Sequence, residues 1–248
     1  MIKAYVDSGG DGDRETLTPT LYGALIEEAN RHGLRVLAHL RYLEDAKGLL
    51  RAGLHGLAHG PRDREIDDEF VALIKERPEI FLTPNLPPRG AIPDLEWIRD
   101  AHPPEAFERI LEEVNTGTSA LAFNRERPLE PFAIQAANLL RLNAEGIRIG
   151  LATDSAVGWT AHIEMEDLVE AGLTPAEVIV AATQTSAEIL GLSDHGTVAV
   201  GKSASFIVLE ANPLDDITNT RRIADVYIRG TKIDCAALRA RWTGRAPE

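Results

Sequence analysis

Apolar residues recur along the chain with two periods, one helical and one extended. Leu21, Leu25 and Ala29 stand at i, i+4 and i+8, behind Thr18 and Pro19, a cap and a first-turn proline that start a helix. Leu43, Ala46 and Leu50 form a second apolar face, and Ile134, Ala137, Leu140 and Ala144 form a third. After each of these stretches comes a glycine, which supplies the left-handed residue that closes a helix, and then a short apolar run. The first two units echo one another. Arg31 to His39 reads R-x-G-L-x-x-L-A-H, and Arg51 to His59 reads the same way. Gly146 to Asp154 is a looser third copy.

These patterns predict strands at about 2–6, 35–39, 55–59, 80–83 and 148–152. They predict helices at about 19–32, 43–52, 67–76, 104–115, 130–145, 163–171 and 175–190, the last opened by the capping box Thr174-Pro175-Ala176-Glu177. The Pro- and Gly-rich stretch 84–103 reads as a loop over one face. From Leu192 the character changes: 197–200 and 206–209 read as a β-hairpin and 226–233 as a further β segment. Alternating strands and helices imply an α/β fold with a parallel sheet and right-handed crossovers. Five strands are too few for a closed (β/α)8 barrel, which needs eight.

Composition narrows the class. With 26 Lys and Arg against 39 Asp and Glu, the 248-residue chain carries a net charge of −13. That balance argues against nucleic acid and anionic membranes as partners, since both need a basic footprint. A single cysteine, Cys235, cannot form an internal disulfide, and no apolar run or leader pattern predicts a membrane span or export, so a cytoplasmic location is expected. The chemistry-bearing residues are Lys3, His39, His59 and Asp154, read as strand-end positions, where α/β sheets place their sites. Imidazole and carboxylate suit zinc and similar divalent ions. A lone strand histidine is more often a satisfied polar group. Matched histidines in echoed units bring the two readings level.

In order along the chain, Ile2-Lys3-Ala4-Tyr5 with Gly9-Gly10, Val36 to His39, Gly56 to Gly60, Ala152 to Ser155, Leu168 to Pro175, and Gly196-Thr197-Val198 with Gly201-Lys202, Val208-Leu209 and Asn212-Pro213 resemble the amidohydrolase superfamily, in its imidazolonepropionase-like and dipeptidase-like branch. The resemblance implies a partial (β/α)8 TIM-type barrel, strands 4 to 8, over 1–191, followed over 192–248 by the C-terminal part of a small β-sandwich and a tail. The family's His-x-His pair is absent from this sequence, and Ser205 stands where the family usually has Asp.

The resemblance further implies a metal-dependent amidohydrolase acting on amide C–N bonds of small substrates such as N-acyl amino acids, dipeptides or cyclic amides. Two divalent metals, most simply zinc, would be bridged by a CO2-derived carbamate on Lys3 and share a hydroxide; His39, His59 and Asp154 would be ligands, and Asp154 would carry the proton to the leaving nitrogen. Arg41 follows His39 and can hold a substrate carboxylate, or is a solvated loop residue. His162 can touch substrate, though as a bare pattern it is a helix cap. Tyr42 is a candidate substrate contact and Tyr5 lies beside the site, with core packing the simpler role for both. His55 reads as structural, His32, His102 and His195 as solvated turn residues, and Arg62-Asp63-Arg64-Glu65 as a solvated charged face. Two alternatives stay open. One is an incomplete fragment whose open sheet edges associate with a second copy, giving a homo-oligomer, or with a missing half. The other is a mononuclear deaminase on His39, His59 and Asp154.

Overall fold

The computed structural model describes residues 1–7, 16–86, 94–116, 130–155 and 157–244. Gly9-Gly10 and positions 87–93 of the expected loop lie outside them. The chain packs as two compact units. The first comprises Met1–Pro87, Glu130–Ala152 and Glu170–Leu173; the second comprises Pro88–Leu129, Thr153–Val169 and Thr174–Glu248.

The first unit holds a five-stranded parallel sheet in sequence order: β1 (Ile2–Tyr5), β2 (Val36–His39), β3 (Gly56–Ala58), β4 (Phe81–Thr83) and β5 (Arg148–Ile149). Helices α1 (Pro19–Arg31), α2 (Leu43–Ala52) and α3 (Asp68–Lys75) connect the first four strands, α1 packing beside α2 and α2 beside α3. The remaining helices run in order: α4 (Pro104–Thr116), α5 (Glu130–Ala144), α6 (Thr160–Glu170), α7 (Pro175–Val180), α8 (Ser186–Leu190) and α9 (Cys235–Thr243). All five expected strands form, the fifth ending at Ile149 rather than 152. Gly33, Gly53 and Gly146, the residues expected to close the helices, have φ of 65°, 103° and 79°. Of the described strands, β1 and β5 stand at the edges.

Two apolar faces differ from expectation. On α1 the buried residues are Tyr22, Ile26 and Ala29, while Leu21 is exposed. On α5 they are Gln135, Asn138, Leu139 and Leu142, with Leu140 exposed. Hydrophobicity alone selected the wrong stripe of α5, because two amides turn inward to bond backbone. Gly56 has a packing reason for its identity: the Phe81 ring of the paired strand lies across it, and a Cβ there would come 2.3 Å from the ring's Cζ.

The second unit contains an antiparallel sheet in the order β6 (Phe206–Leu209), β7 (Ile223–Ile228) and β8 (Thr231–Lys232). The expected hairpin partner of β6 is corrected. Residues 197–200 lie among turns, with Lys202 N–H donating to Ala199 O (3.2 Å) and Val198 and Val200 exposed; β7 takes their place. An exposed pair of valines has no face to bury, which is why alternation alone misled here. The loop over 84–103 contains a 3-10 turn, Glu96–Ala101. Leu95, Ile98, Phe107 and Val114 form a small core beneath Trp97 and Trp159. The capping box at Thr174 is present: its hydroxyl accepts from Glu177 N–H and the Glu177 carboxylate accepts from Thr174 N–H. The helix it opens passes through a π turn, Ala181–Thr185, before α8. No helix among the described residues is long and apolar enough to cross a membrane.

Gly56→Ala is expected to lower unfolding free energy by about 1–3 kcal/mol, because the Phe81 ring must leave its place, as read by chemical denaturation.

Candidate active site

In a parallel sheet, residues in register share a face, so Tyr5, His39 and Ala58 align across three strands. Lys3 and Tyr5 lie on the exposed face of β1, while Ala4 is buried on the other. Lys3 sits in the body of the strand rather than at its end. Its Nζ is 5.2 Å from the Tyr5 ring centroid, and that ring stacks on His39 at 5.2 Å. Tyr5 is therefore an exposed cover over the histidine and not a core residue: its fractional exposure is 58%.

Continued regularly, the strand would send His59 to the opposite face from His39. Instead β3 ends at Ala58, His59 takes φ 149°, and its ring meets His39 edge-on with centroids 4.6 Å apart. Two imidazoles sharing one ion, at about 2.1 Å per metal–nitrogen bond, place their centroids about 5 Å apart, so the pair fits a shared divalent ion. Among the described residues no group of three or more His, Cys, Asp or Glu is assembled in metal-holding geometry.

Sequence reading passed over Asp7. Its carboxylate is nearly buried, with Oδ1 3.3 Å from His39 Nε2. The signal was available, since Lys3, Tyr5 and Asp7 continue one alternating face. It also passed over Gln135 and Asn138. Gln135 Nε2 donates to the carbonyls of His59 and Pro84 (2.7 Å to the latter). Asn138 donates to Pro61 O (2.9 Å) and Arg64 O (3.1 Å) and accepts from Ile66 N–H (2.8 Å).

Arg41 lies beyond β2, which ends at His39, so the strand does not carry it to the same face by alternation. Its Nε is buried and meets no acceptor among the described residues, and its guanidinium lies 5.9 Å from the Tyr42 ring centroid. Tyr42 is exposed at the start of α2, not packed in the core. Because Tyr42 offers no capping oxygen, Asp63 serves α2 instead, accepting from Leu43 N–H at 2.9 Å. Asp63 is thus mostly buried rather than part of a solvated face. His55 Nδ1 meets Val36 N–H at 3.4 Å, in keeping with a structural role.

In the second unit, Asp154 is exposed and has φ 47°. His162 lies within the first turn of α6 and is not its cap, since the helix begins at Thr160. Its Nδ1 is 3.0 Å from Thr220 Oγ1, and its ring meets Trp97 edge-on at 5.2 Å. Arg221 lies over Trp97 at 4.8 Å and pairs with Glu166. Burial, then the neighbouring Arg221 charge, pushes the His162 pKa below the ordinary histidine value.

The sequence profile of the Amidohydrolase family matches residues 9–233. The chain belongs to the amidohydrolase family. Ochratoxinase of Aspergillus niger is 28% identical over 208 residues, covering 81% of this chain and 37% of that protein. Imidazolonepropionase of Deinococcus radiodurans is 38% identical over 64 residues, covering 25% of this chain and 16% of that one. The solved structure of a Xaa-Pro dipeptidase with bound methionine superposes with a TM-score of 0.67 at 21% identity, over 94% of this chain and 54% of that chain. This likeness identifies the α/β architecture as TIM-barrel type. The chain spans about half, or less, of the length of these proteins.

Gln135→Leu strands the buried carbonyls of His59 and Pro84, and a loss of about 2 kcal/mol or more in unfolding free energy is expected by denaturant titration. The pKa values of His55, His102 and His162 all lie below the ordinary value, with burial the first cause in each. The unfolded chain therefore binds more protons just below pH 6.5. Stability should climb with pH between about 5 and 7 and level off above, and His162→Gln should flatten that rise.

Proposed function

We propose that this chain carries the ligand histidines of a metal-dependent amidohydrolase that hydrolyses amide C–N bonds of small substrates such as N-acyl amino acids, dipeptides or cyclic amides. The observation that carries the reading is the His39–His59 pair, edge to face at the ends of adjacent parallel strands. A dipeptidase and an ochratoxinase among its relatives support an amide substrate. His39 and His59 would hold a divalent ion, with zinc suited to imidazole. Lys3, as a carbamate, and Asp154 would complete the donor set. When bound, the metal lowers the pKa of water and polarises the scissile carbonyl. Asp154 accepts the proton of the attacking water and returns it to the leaving nitrogen. Arg41, whose buried Nε meets no acceptor among the described residues, pairs with a substrate carboxylate, and Tyr42 flanks it. His162 contacts substrate from α6. Within this reading, residues 1–191 are the hydrolase part, a partial barrel, and 192–248 belong to the accompanying β-sandwich.

A second reading is favoured by the chain's covering only 37% of ochratoxinase and 54% of the dipeptidase, together with the sheet edges at β1 and β5. The chain is then incomplete by itself and gains full activity through association, with a second copy or with a chain bearing the remaining part.

Metal content per chain, mass in solution and hydrolysis of N-acyl amino acids with and without chelator test both. The first reading expects bound divalent metal and chelator-sensitive hydrolysis that falls roughly 100- to 10,000-fold in Asp154→Asn. A metal-free, inactive, associating particle overturns it in favour of the second.

A further inference from the structure

Thr220 Oγ1 sits between two partners of fixed character. On one side is the backbone carbonyl of Ile217, 2.9 Å away, which can only accept. On the other is His162 Nδ1, 3.0 Å away. A hydroxyl has one proton, and the carbonyl takes it. Toward His162 the hydroxyl oxygen can therefore only accept, so Nδ1 carries the ring proton. Thr220 is buried within a 3-10 turn, Ile217–Arg221, so its hydroxyl has no freedom to rotate toward water. The ring is also fixed by the Trp97 indole at its edge. Burial and the Arg221 charge favour the neutral ring. A neutral imidazole protonated on Nδ1 has a bare lone pair on Nε2, the reverse of the arrangement that a free imidazole side chain prefers. His162 Nε2 makes no hydrogen bond among the described residues.

We propose that Thr220 is a positioning residue that locks His162 with its proton on Nδ1, so that Nε2 is a hydrogen-bond acceptor for a donor group of the ligand. The donor is an N–H, that of a secondary amide or an ammonium. A tertiary amide, such as the bond to a proline nitrogen, has no N–H to offer. This selection of substrate class rests on the amide reading above; the lock itself does not.

The ring state is read from long-range proton–nitrogen correlation spectra of the 15N-histidine-labelled chain above pH 7, with His162 assigned by the signal lost in His162→Gln. The native chain is expected to show protonated Nδ1 and bare Nε2. Thr220→Val should shift the ring toward protonated Nε2, and Thr220→Ser should restore the native state, in chains whose melting curves show them folded. A native ring protonated on Nε2 overturns the proposal. So does a folded Thr220→Val with an unchanged ring.

The ligand half is read by calorimetric binding of N-acetylalanine and N-acetyl-N-methylalanine. The native chain should prefer the first by about tenfold, the worth of one hydrogen bond, and Thr220→Val should lose that preference. Equal binding of the two by the native chain overturns the ligand half. Chelator-insensitive or absent hydrolysis bears on the amide reading alone and leaves the ring result standing.

Discussion

Two carboxamides on one helix hold the loops that carry the histidine edge of the sheet. β3 and β4 are three residues each, so their ladder fixes little beyond their own length. Past them the backbone is buried at His59, Gly60, Pro61 and Pro84, and buried carbonyls left without donors are costly. Gln135 bridges the β3 and β4 loops, and Asn138 closes three further groups of the β3 loop. His59 and Asn85, one in each bridged segment, both have positive φ, at 149° and 42°. Side chains rarely tolerate such conformations unless their surroundings over-determine them, and α5 is what does so here.

From that fixed loop the surroundings of His39 follow. With His59 turned back toward the face of His39, the ring of His39 is bounded by Tyr5, Asp7 and His59, from β1, the segment after it and the end of β3. The same loop continues to Asp63, which supplies the capping carboxylate that α2 lacks in its own sequence. On the far side of α2, buried Lys47 reaches Asp67 (2.6 Å) and Glu69 (2.8 Å) at the start of α3, which hold its ammonium well above the ordinary range. One connection thus ties α2, α3 and α5 to the ends of two strands.

Much of this was legible in the sequence. The echoed units ending in His39 and His59 foretold the parallel strands, because backbone period and closing glycines are local properties, but not their register, in which His39 pairs with Ala58 rather than His59. The same local rules failed where burial depends on a partner distant in sequence. Gln135 and Asn138 look like a solvated stripe until the carbonyls they serve are known. Leu21 and Leu140 look like core until the helix is rotated by its real neighbours. Tyr5 and Tyr42 resemble packing residues, and only the fold shows that both are exposed. Asp7 escaped because a carboxylate after a strand reads as a turn residue. The Thr220–His162 contact joins residues far apart in the chain, and no spacing rule connects them.

The π turn at Ala181–Thr185 bears on how this helix could absorb a change in length. A π turn holds one residue more than an α turn, and here Thr183 and Ser186 bond their hydroxyls to the carbonyls of Ile179 and Ala181 where the ladder widens. The surplus residue is confined between two firm ends, the Thr174 box and left-handed Gly191. Removing one position from 181–185 would let an ordinary α-helix close. It would also turn α8 by about 100° about the axis relative to α7, presenting another set of side chains to the interior. The turn is therefore the place where this helix can gain or lose a residue without unravelling, and where doing so exchanges one buried face for another.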